Sequence, residues 1–483
     1  MILKNILTEI NYLKSTNIEL DLEIENITDN SREVVLNSIF VAISGNAFDG
    51  NNYIINAIGN GAKLVVTDKE SVFEINKNNI PIILVNNSRI ILVELLNIFY
   101  NYPSKDFKIV AITGTNGKTT ISTLIYNAFI KLNKNVALIG TNGIYINSEK
   151  SEATHTTPSP IQLITLFLEF KKNNIEYVIM EVSSHSLDQH RVDFIDFDVA
   201  IFTNLTRDHL DYHKTMENYA TAKKKLFDGL KPNTIAIINN DDEWSNFMIK
   251  DCKGKIETIS RNKNSTYQIS NLISDINGNK FNLICETNSF NIYNKLLSSF
   301  NAYNLASAVL CLNYFNIKNI SDLISNISGP EGRMDSIKLH NGTTAIIDYA
   351  HTPDALEKAL QNLKELCQGK LICVFGCGGD RDKGKRPIMG AISTDIADYT
   401  YITSDNPRTE NPNEIINDII VNIKSNNFEV EIDRSVAIRK AILNSNKNDI
   451  ILIAGKGHEK YQIIGTNKFH FDDFEEIRRV DNE

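Results

Sequence analysis

The stretch that most constrains the fold is KIVAITGTNGKTTISTLIYNAF, running from Lys108 to Phe129. Lys108 to Thr113 is a short apolar, β-branched run closed by glycine, and from Thr119 the residues Ile121, Leu124, Ile125, Ala128 and Phe129 recur at helical spacing. The pattern predicts strand, glycine turn, helix. Gly114 and Gly117 let the backbone aim its N–H groups inward, and the helix that follows presents its positive end to an anion. Lys118 adds a mobile charge for the β- and γ-phosphates, and Thr119 a hydroxyl for Mg2+. The stretch therefore reads as a phosphate-binding loop for a nucleoside triphosphate. It is shorter than G-x-x-x-x-G-K-[ST], because Ile112 stands where that motif has glycine. A chance string in a glycine turn is the bland alternative, and the flanking strand and helix argue against it.

A chain of 483 residues is too long for one ordinary core, and its length points to about three domains. Its hydrophobic share of 42% and charged share of 23% are those of a globular protein. No uninterrupted apolar run reaches the ~18 residues that a membrane span needs. The N-terminal MILKNILTEINYLKS has apolar residues at helical spacing but polar ones throughout and no small-residue cleavage site. A cytoplasmic protein without membrane insertion is expected. The formal charge of −9, with Lys and Arg dispersed, gives nothing for nucleic acid to bind. Cys252, Cys285, Cys311, Cys367, Cys373 and Cys377 form no C-x-x-C pair and read as reduced core thiols.

Taken in order, the chain opens with a small α/β domain over 1–103, with strands at 38–43, 63–66 and 80–85 and a helix at 53–58. Its loop from Gly45 to Gly50 reads equally well as a binding loop or an ordinary connection. The central domain, 104–328, continues with buried-strand runs at 136–140, 177–187 and 199–205. Ligands of open parallel sheets collect at the carboxyl ends of strands, where this chain offers Glu181, Ser183, His185, Asn204, Asp208 and His209. Glu181 fits the acidic partner of a magnesium ion, with a helix cap as the alternative. His209 and His213 lack an HExxH context, so His213 reads as structural and His209 as the better site candidate. A short helix at 220–229 carries Lys223, Lys224 and Lys225, and the residues alone do not say which points inward. After the Gly-Pro-Glu-Gly cluster at 329–332 come further strands, each followed by a polar turn. They predict a second open, Rossmann-like parallel sheet over 329–483. The fold class is thus α/β in three domains, with the phosphate-loop sheet at the centre.

The strings GTNGKTT, MEVSSH, TNLTRDHLDYH, GPEGRMD, DYAHTPDAL, FGCGGDRDKGKRP, DNPRTENP and AGKGHEKYQ together resemble the Mur ligases, ATP-dependent amide-forming enzymes of peptidoglycan synthesis. The likeness covers essentially the full chain and is greatest to members that add the third peptide residue. Folylpolyglutamate synthases share the phosphate loop but not the later strings. One departure is Asn37, where the family often has glycine; asparagine tolerates the left-handed turn.

The resemblance implies site residues. Gly114, Thr115, Asn116, Gly117, Lys118, Thr119 and Thr120 would hold the triphosphate of ATP, Asn301 or Asn304 the adenine, and Asp348 the ribose, with Tyr349 and His351 nearby. Arg333 would approach the triphosphate. Thr119 and Glu181 would serve one Mg2+, and a carbamylated Lys223 with Glu181 and His209 a second, leaving Lys224 and Lys225 as the solvated part of the run. Ser31, Asn46, Ala47, Phe48, Thr156, Thr157, Ser183, Gln189 and Arg191 would bind UDP-N-acetylmuramoyl-L-alanyl-D-glutamate. Arg386, Asp405, Asn406, Pro407, Arg408, Gly455 and Glu459 would bind the incoming amino acid, and DNPR is the pattern of members that take meso-diaminopimelate in place of lysine. Arg408 pairing with Glu410 or capping a helix is the bland alternative. A monomer is expected. The implied chemistry activates a carboxylate as an acyl phosphate, which the amine then attacks with water excluded by domain closure. A phosphotransferase or a non-catalytic nucleotide binder would use the same loop without needing an amine.

Overall fold

The computed structural model describes residues 1–45, 48–78, 80–193 and 195–483, and the chain divides into two compact units, Met1–Thr266 and Tyr267–Glu483. The first unit holds two sheets. The smaller runs in the order Lys14–Thr16, Ile82–Leu84, Ala62–Thr67, Ser38–Val41, Asn26–Thr28, antiparallel at the first pair and parallel elsewhere. Its inner strands are largely apolar because both faces are covered, whereas the edge strand Lys14–Thr16 is polar and largely exposed. Ile39, Val41, Leu64 and Val66 pack with Leu92, Leu95 and Leu96 of the helix Ser88–Phe99, while Phe40, Val65 and Ile82 pack with Ile54 and Ala57. Asn37 turns the chain into this sheet at φ 60°, the left-handed conformation expected of it.

In the larger sheet of this unit the strands run Lys255–Ser260, Ile235–Asn239, Val199–Phe202, Lys108–Thr113, Tyr177–Glu181, Val136–Gly140, all parallel, followed by the antiparallel ribbon Gly143–Ile146 and Glu149–Ser151. Lys108–Thr113 lies between two strands in matched register, with Glu181 opposite Ile112 and Phe202 opposite Thr113. Strand order reverses around it, so three carboxyl ends open into one crevice. The helix Lys118–Lys131 follows the glycine turn directly.

Three elements differ from expectation. The run 177–187 is not one strand: it stops at Glu181, and Ser183 accepts a bond from the Ser186 N–H to start the helix Ser184–Asp188. A serine hydroxyl that satisfies a helix's first N–H groups outcompetes strand extension there. The lysine-bearing helix is longer than expected, Met216–Asp228, because Thr215 caps it a turn earlier. At the N-terminus the amphipathic stretch yields only Leu3–Leu7 as helix.

In the second unit, Tyr267–Asp275, Gly278–Ile284 and Ser289–Asn294 form an antiparallel meander, followed by the helix Asn301–Tyr314. Its main sheet runs Asp335–Lys338, Thr344–Asp348, Ile450–Ala454, Leu371–Phe375, Tyr399–Ile402, Phe428–Val430, parallel except at the first pair. Helices cover both faces: Leu356, Leu360 and Met389 on one, Ile438 and Ile477 on the other. A ribbon, Tyr461–Ile464 with Asn467–His470, stands after the Ile450–Ala454 strand. No helix among the described residues is long and apolar enough to cross a membrane. All six cysteines are free thiols; Cys311, Cys373 and Cys377 are buried, whereas Cys252, Cys285 and Cys367 are only partly covered and so are not all core.

Candidate active site

At the crevice of the first unit the phosphate loop is fixed to the neighbouring strand end. Thr115 N–H donates to the Asn204 carbonyl at 2.8 Å, Asn116 N–H to Asn204 Oδ1 at 3.0 Å, and Thr203 Oγ1 to the Asn116 carbonyl at 2.6 Å. Gly114 sits at φ 146°, where a Cβ would lie 1.8 Å from Thr203 Oγ1. That approach leaves room for no side chain. Glu181, 1% exposed, receives Thr119 Oγ1 at 3.1 Å, Thr141 Oγ1 at 2.9 Å and the Thr141 N–H at 3.2 Å. Its carboxylate therefore stands beside the threonine hydroxyl that follows the loop lysine. A buried carboxylate and a hydroxyl are hard oxygen donors of the kind Mg2+ takes, so these residues fit that ion.

Two amines meet on one oxygen: Lys118 Nζ and Lys223 Nζ each lie 2.9 Å from the Gly114 carbonyl. Lys223 is 1% exposed, with its Nζ 4.6 Å from the Tyr219 ring centroid. Burial, and then the Lys118 charge, hold its amine well below the usual lysine range. Lys225 is half-exposed beside Asp188, but Lys224 is buried between Asp228 and Asp251 and is not the solvated residue expected. The charge of Lys224 is kept by two carboxylates, which fits its raised pKa. His209 is exposed at φ 53°, 3.4 Å from the Asp208 carboxylate, its ring 5.0 Å from His185 and 6.1 Å from Tyr219. His213 is buried against Ser184 Oγ at 2.9 Å and, mainly through burial, is pulled down to about 4. Its burial takes it off the surface and is compatible with a structural role.

The expected nucleotide-sugar residues are partly gathered. Thr157 Oγ1 donates to the Glu181 carbonyl at 2.8 Å and accepts the Ser183 N–H at 3.1 Å, and Thr156 Oγ1 is 3.1 Å from Thr141 Oγ1. Arg191 donates to the Thr157 carbonyl at 2.9 Å and to Gln189 Oε1 at 2.6 Å. Gln189 and Arg191 line a cavity of about 170 Å³ together with Asp29, Arg89 and His155. Burial, and then the neighbouring Arg89 charge, lower the pKa of the Arg191 guanidinium; the cavity presents these two arginines with the Asp29 carboxylate beside them. Ser31 accepts Asn60 Nδ2 on its carbonyl at 2.9 Å, and Phe48 is 75% exposed; neither lines the cavity. Asn46 and Ala47 lie outside the described residues.

In the second unit the polar turns gather at the carboxyl ends of Thr344–Asp348, Tyr399–Ile402 and Ile450–Ala454. Asp348 is buried and accepts the N–H groups of Met334 and Ala350 at 2.8 and 2.9 Å, which fixes the turn carrying Arg333. The Arg333 guanidinium lies 5.1 Å from the Tyr349 ring centroid, and Tyr349 is 4.6 Å from His351. Asn301 donates to the Leu297 carbonyl at 2.6 Å and accepts Asn304 Nδ2 at 2.7 Å, so the two asparagines are joined at one helix start. Arg408, at φ 51°, bonds the 461–470 ribbon through its N–H to the Ile463 carbonyl, and its Nη1 donates to the Gly379 carbonyl at 2.7 Å. Glu410 pairs with Arg386 instead, holding its own carboxyl down to about 2. The bland pairing of Arg408 with Glu410 is therefore not the one formed. Arg386 is fully buried between Glu410 and Asp418 at 2.9 Å from each. Gly455, at φ 112°, donates to the Asp348 carbonyl, and Glu459 accepts Asn406 Nδ2 at 2.9 Å.

Four residues escaped sequence reasoning: Ser122, whose Oγ lies 3.5 Å from Glu181 Oε1, Thr141, Arg89, and Lys456, whose Nζ lies 3.3 Å from Asp405 Oδ1. Thr141 and Lys456 each follow a buried strand closed by glycine, VALIG and IILIAG, and that position was the available signal. Arg89 and Ser122 sit in helical runs with nothing local to mark them.

Comparison with known proteins matches residues 23–100 to the Mur ligase family catalytic domain, 112–312 to the Mur ligase middle domain, and 332–457 to the Mur ligase glutamate ligase domain. A protein of Clostridium tetani (strain Massachusetts / E88) named UDP-N-acetylmuramoyl-L-alanyl-D-glutamate--2,6-diaminopimelate ligase is 40% identical over 485 residues, 99% of each chain. One of the same name from Phocaeicola vulgatus is 42% identical over 465 residues, 95% of each. A solved structure of a ligase with that name, 33% identical, superposes with a TM-score of 0.76 over 100% of this chain and 99% of its own. With matched domains in order along nearly its whole length, the chain belongs to the Mur ligase family.

Proposed function

We propose that this chain is the ATP-dependent ligase that joins meso-diaminopimelate to UDP-N-acetylmuramoyl-L-alanyl-D-glutamate, the reaction named for its near-full-length relatives. The observation that carries the reading is the strand-end cluster of Asp405, Asn406, Arg408 and Glu459. It sets a guanidinium and carboxylates apart on two hydrogen-bonded turns, a pattern suited to an amino acid with charged groups at both ends. A phosphotransferase has no use for it.

In this reading the phosphate loop and Lys118 bind the triphosphate, Asn301, Asn304 and Asp348 position the nucleoside, and Arg333 neutralises phosphate charge. Mg2+ would be held by Thr119 and Glu181 and would offset the charge crowded between carboxylate and γ-phosphate. Thr156, Thr157, Ser183, Gln189 and Arg191 hold the nucleotide dipeptide with its D-glutamyl γ-carboxylate toward the phosphate. One carboxylate oxygen bonds to the γ-phosphorus as the bond to ADP breaks; the amine nitrogen then bonds to the acyl carbon and phosphate leaves. Lys223 suits a further role because burial, and then the Lys118 charge, lower its amine's pKa well below the usual lysine range and so favour the uncharged form. A neutral amine adds to CO2 and loses a proton, which replaces a nitrogen donor by carbamate oxygens near His209. Arg408 takes the distal carboxylate that distinguishes diaminopimelate from lysine, and Glu459 an ammonium. The three matched models support domains at 1–103, 104–328 and 329–483, and charged nucleotide substrates support a cytoplasmic site of action.

Phosphate release from ATP tests the class. It is expected only when nucleotide dipeptide and diaminopimelate are both present, in step with amide formed. Steady release without the amine would mark a hydrolase.

A further inference from the structure

Lys456 lies between Gly455 and Gly457 and is fully buried, which is unusual for a lysine unless it is paired. Its Nζ is 3.3 Å from Asp405 Oδ1, 3.2 Å from Asn406 Oδ1 and 3.8 Å from Glu459 Oε2. Asn406 is thereby oriented completely: Oδ1 accepts from Lys456 and from the Ile463 N–H at 2.9 Å, which leaves Nδ2 to donate to Glu459 at 2.9 Å. A reversed amide would set N–H groups against the ammonium. Gln462 Nε2 bonds the Asp405 carbonyl at 2.7 Å, so the 405–408 and 455–463 segments form one lattice with Lys456 inside it.

We propose that Lys456 is a positioning residue for the amino-acid substrate: its buried ammonium lies between Asp405 and Glu459 and fixes Asn406, so that Glu459 is presented in the charged form that receives the substrate's ammonium. This deepens the function proposed above and rests on it. Two carboxylates near one another in a partly dry site resist being charged together, and a fixed internal cation between them removes that conflict before substrate arrives. Glu459 is faced by Asp405 and Arg408 from the turn after Tyr399–Ile402, by Arg434 from the helix Arg434–Leu443, by Tyr349 from the turn after Thr344–Asp348, and by Lys456 on its own loop. Burial, and then Asp405, push its carboxyl up; Lys456, Asn406 and Arg408 oppose this.

Removing the Lys456 charge therefore lets Glu459 take a proton at higher pH. The test compares the full-length protein with Lys456→Met, which removes charge and hydrogen bonds, and Lys456→Gln, which keeps a donor but no charge. Expected is a rise in KM for diaminopimelate of about tenfold or more, the size of one lost charge-assisted contact. KM for ATP and for the nucleotide dipeptide should stay within about twofold. The acid limb of kcat/KM for diaminopimelate should move to higher pH in both variants, an effect that loss of packing alone does not produce. An unmoved acid limb in whichever variant folds, or equal rises in all three KM values, overturns the proposal. Absence of amine-dependent ligation in the unaltered protein would instead overturn the proposed function.

Discussion

Lys223 and its two neighbours carry the same side chain three times in a row and meet three different environments. Lys224 is neutralised by Asp228 and Asp251, Lys225 reaches Asp188, and Lys223 is driven into the crevice, where its amine bonds the Gly114 carbonyl and not a carboxylate. A neutral buried amine is the precondition for carbamate formation. Lys223→Ala is expected to lower ligation by about 10²–10³-fold, as loss of one charge-stabilising group in an active site does. Added formate or acetate should restore part of the rate by returning oxygens. Restoration by methylamine in their place would show that a cation is what the site needs. Lys225→Ala should keep the wild-type rate. At this scale the sequence was legible where chemistry and backbone coincide, as at Gly114, Lys118 and Glu181. It was not legible where a single polar residue depends on a partner far along the chain: Lys456 acquires meaning only beside Asp405, and Arg89 only beside Arg191.

Among the elements, continuous apolar strands such as Val136–Gly140 and Ile450–Ala454 were readable because both sheet faces are covered. The break after Glu181 was not, since Val182 is as apolar as a strand residue and only the hydroxyl of Ser183 ends the run. The turn between the Lys108–Thr113 strand and its helix has the strictest demand. At Gly114→Ala the new methyl meets Thr203 Oγ1 and the Asn204 backbone, at a φ that side chains rarely adopt. Thermal or urea unfolding should show a loss of about 1–3 kcal/mol, the cost of one strained backbone position. KM for ATP should rise more than KM for diaminopimelate, whose proposed binding residues belong to the other unit. A variant with unchanged stability and unchanged KM for ATP would mean that the loop is not the closely held cradle described here.

Taken whole, the chain carries two polar strand-end clusters, one proposed for phosphate and the other for an amino acid with charged ends. The first was evident from a single contiguous stretch. The second is assembled from two turns well separated in the chain, Asp405 to Arg408 and Gly455 to Glu459, which is why its ionic interior was invisible until the strands were placed side by side. The choice of amine is where these features converge, because lysine and diaminopimelate differ only in the distal carboxylate that Arg408 is proposed to receive. The decisive measurement is mass analysis of the product formed from UDP-N-acetylmuramoyl-L-alanyl-D-glutamate, ATP and Mg2+ with equal concentrations of lysine and meso-diaminopimelate. The account predicts that the unaltered protein yields almost only the diaminopimelate adduct and that Arg408→Ala erodes the preference. Equal amounts of both adducts from the unaltered protein would contradict it.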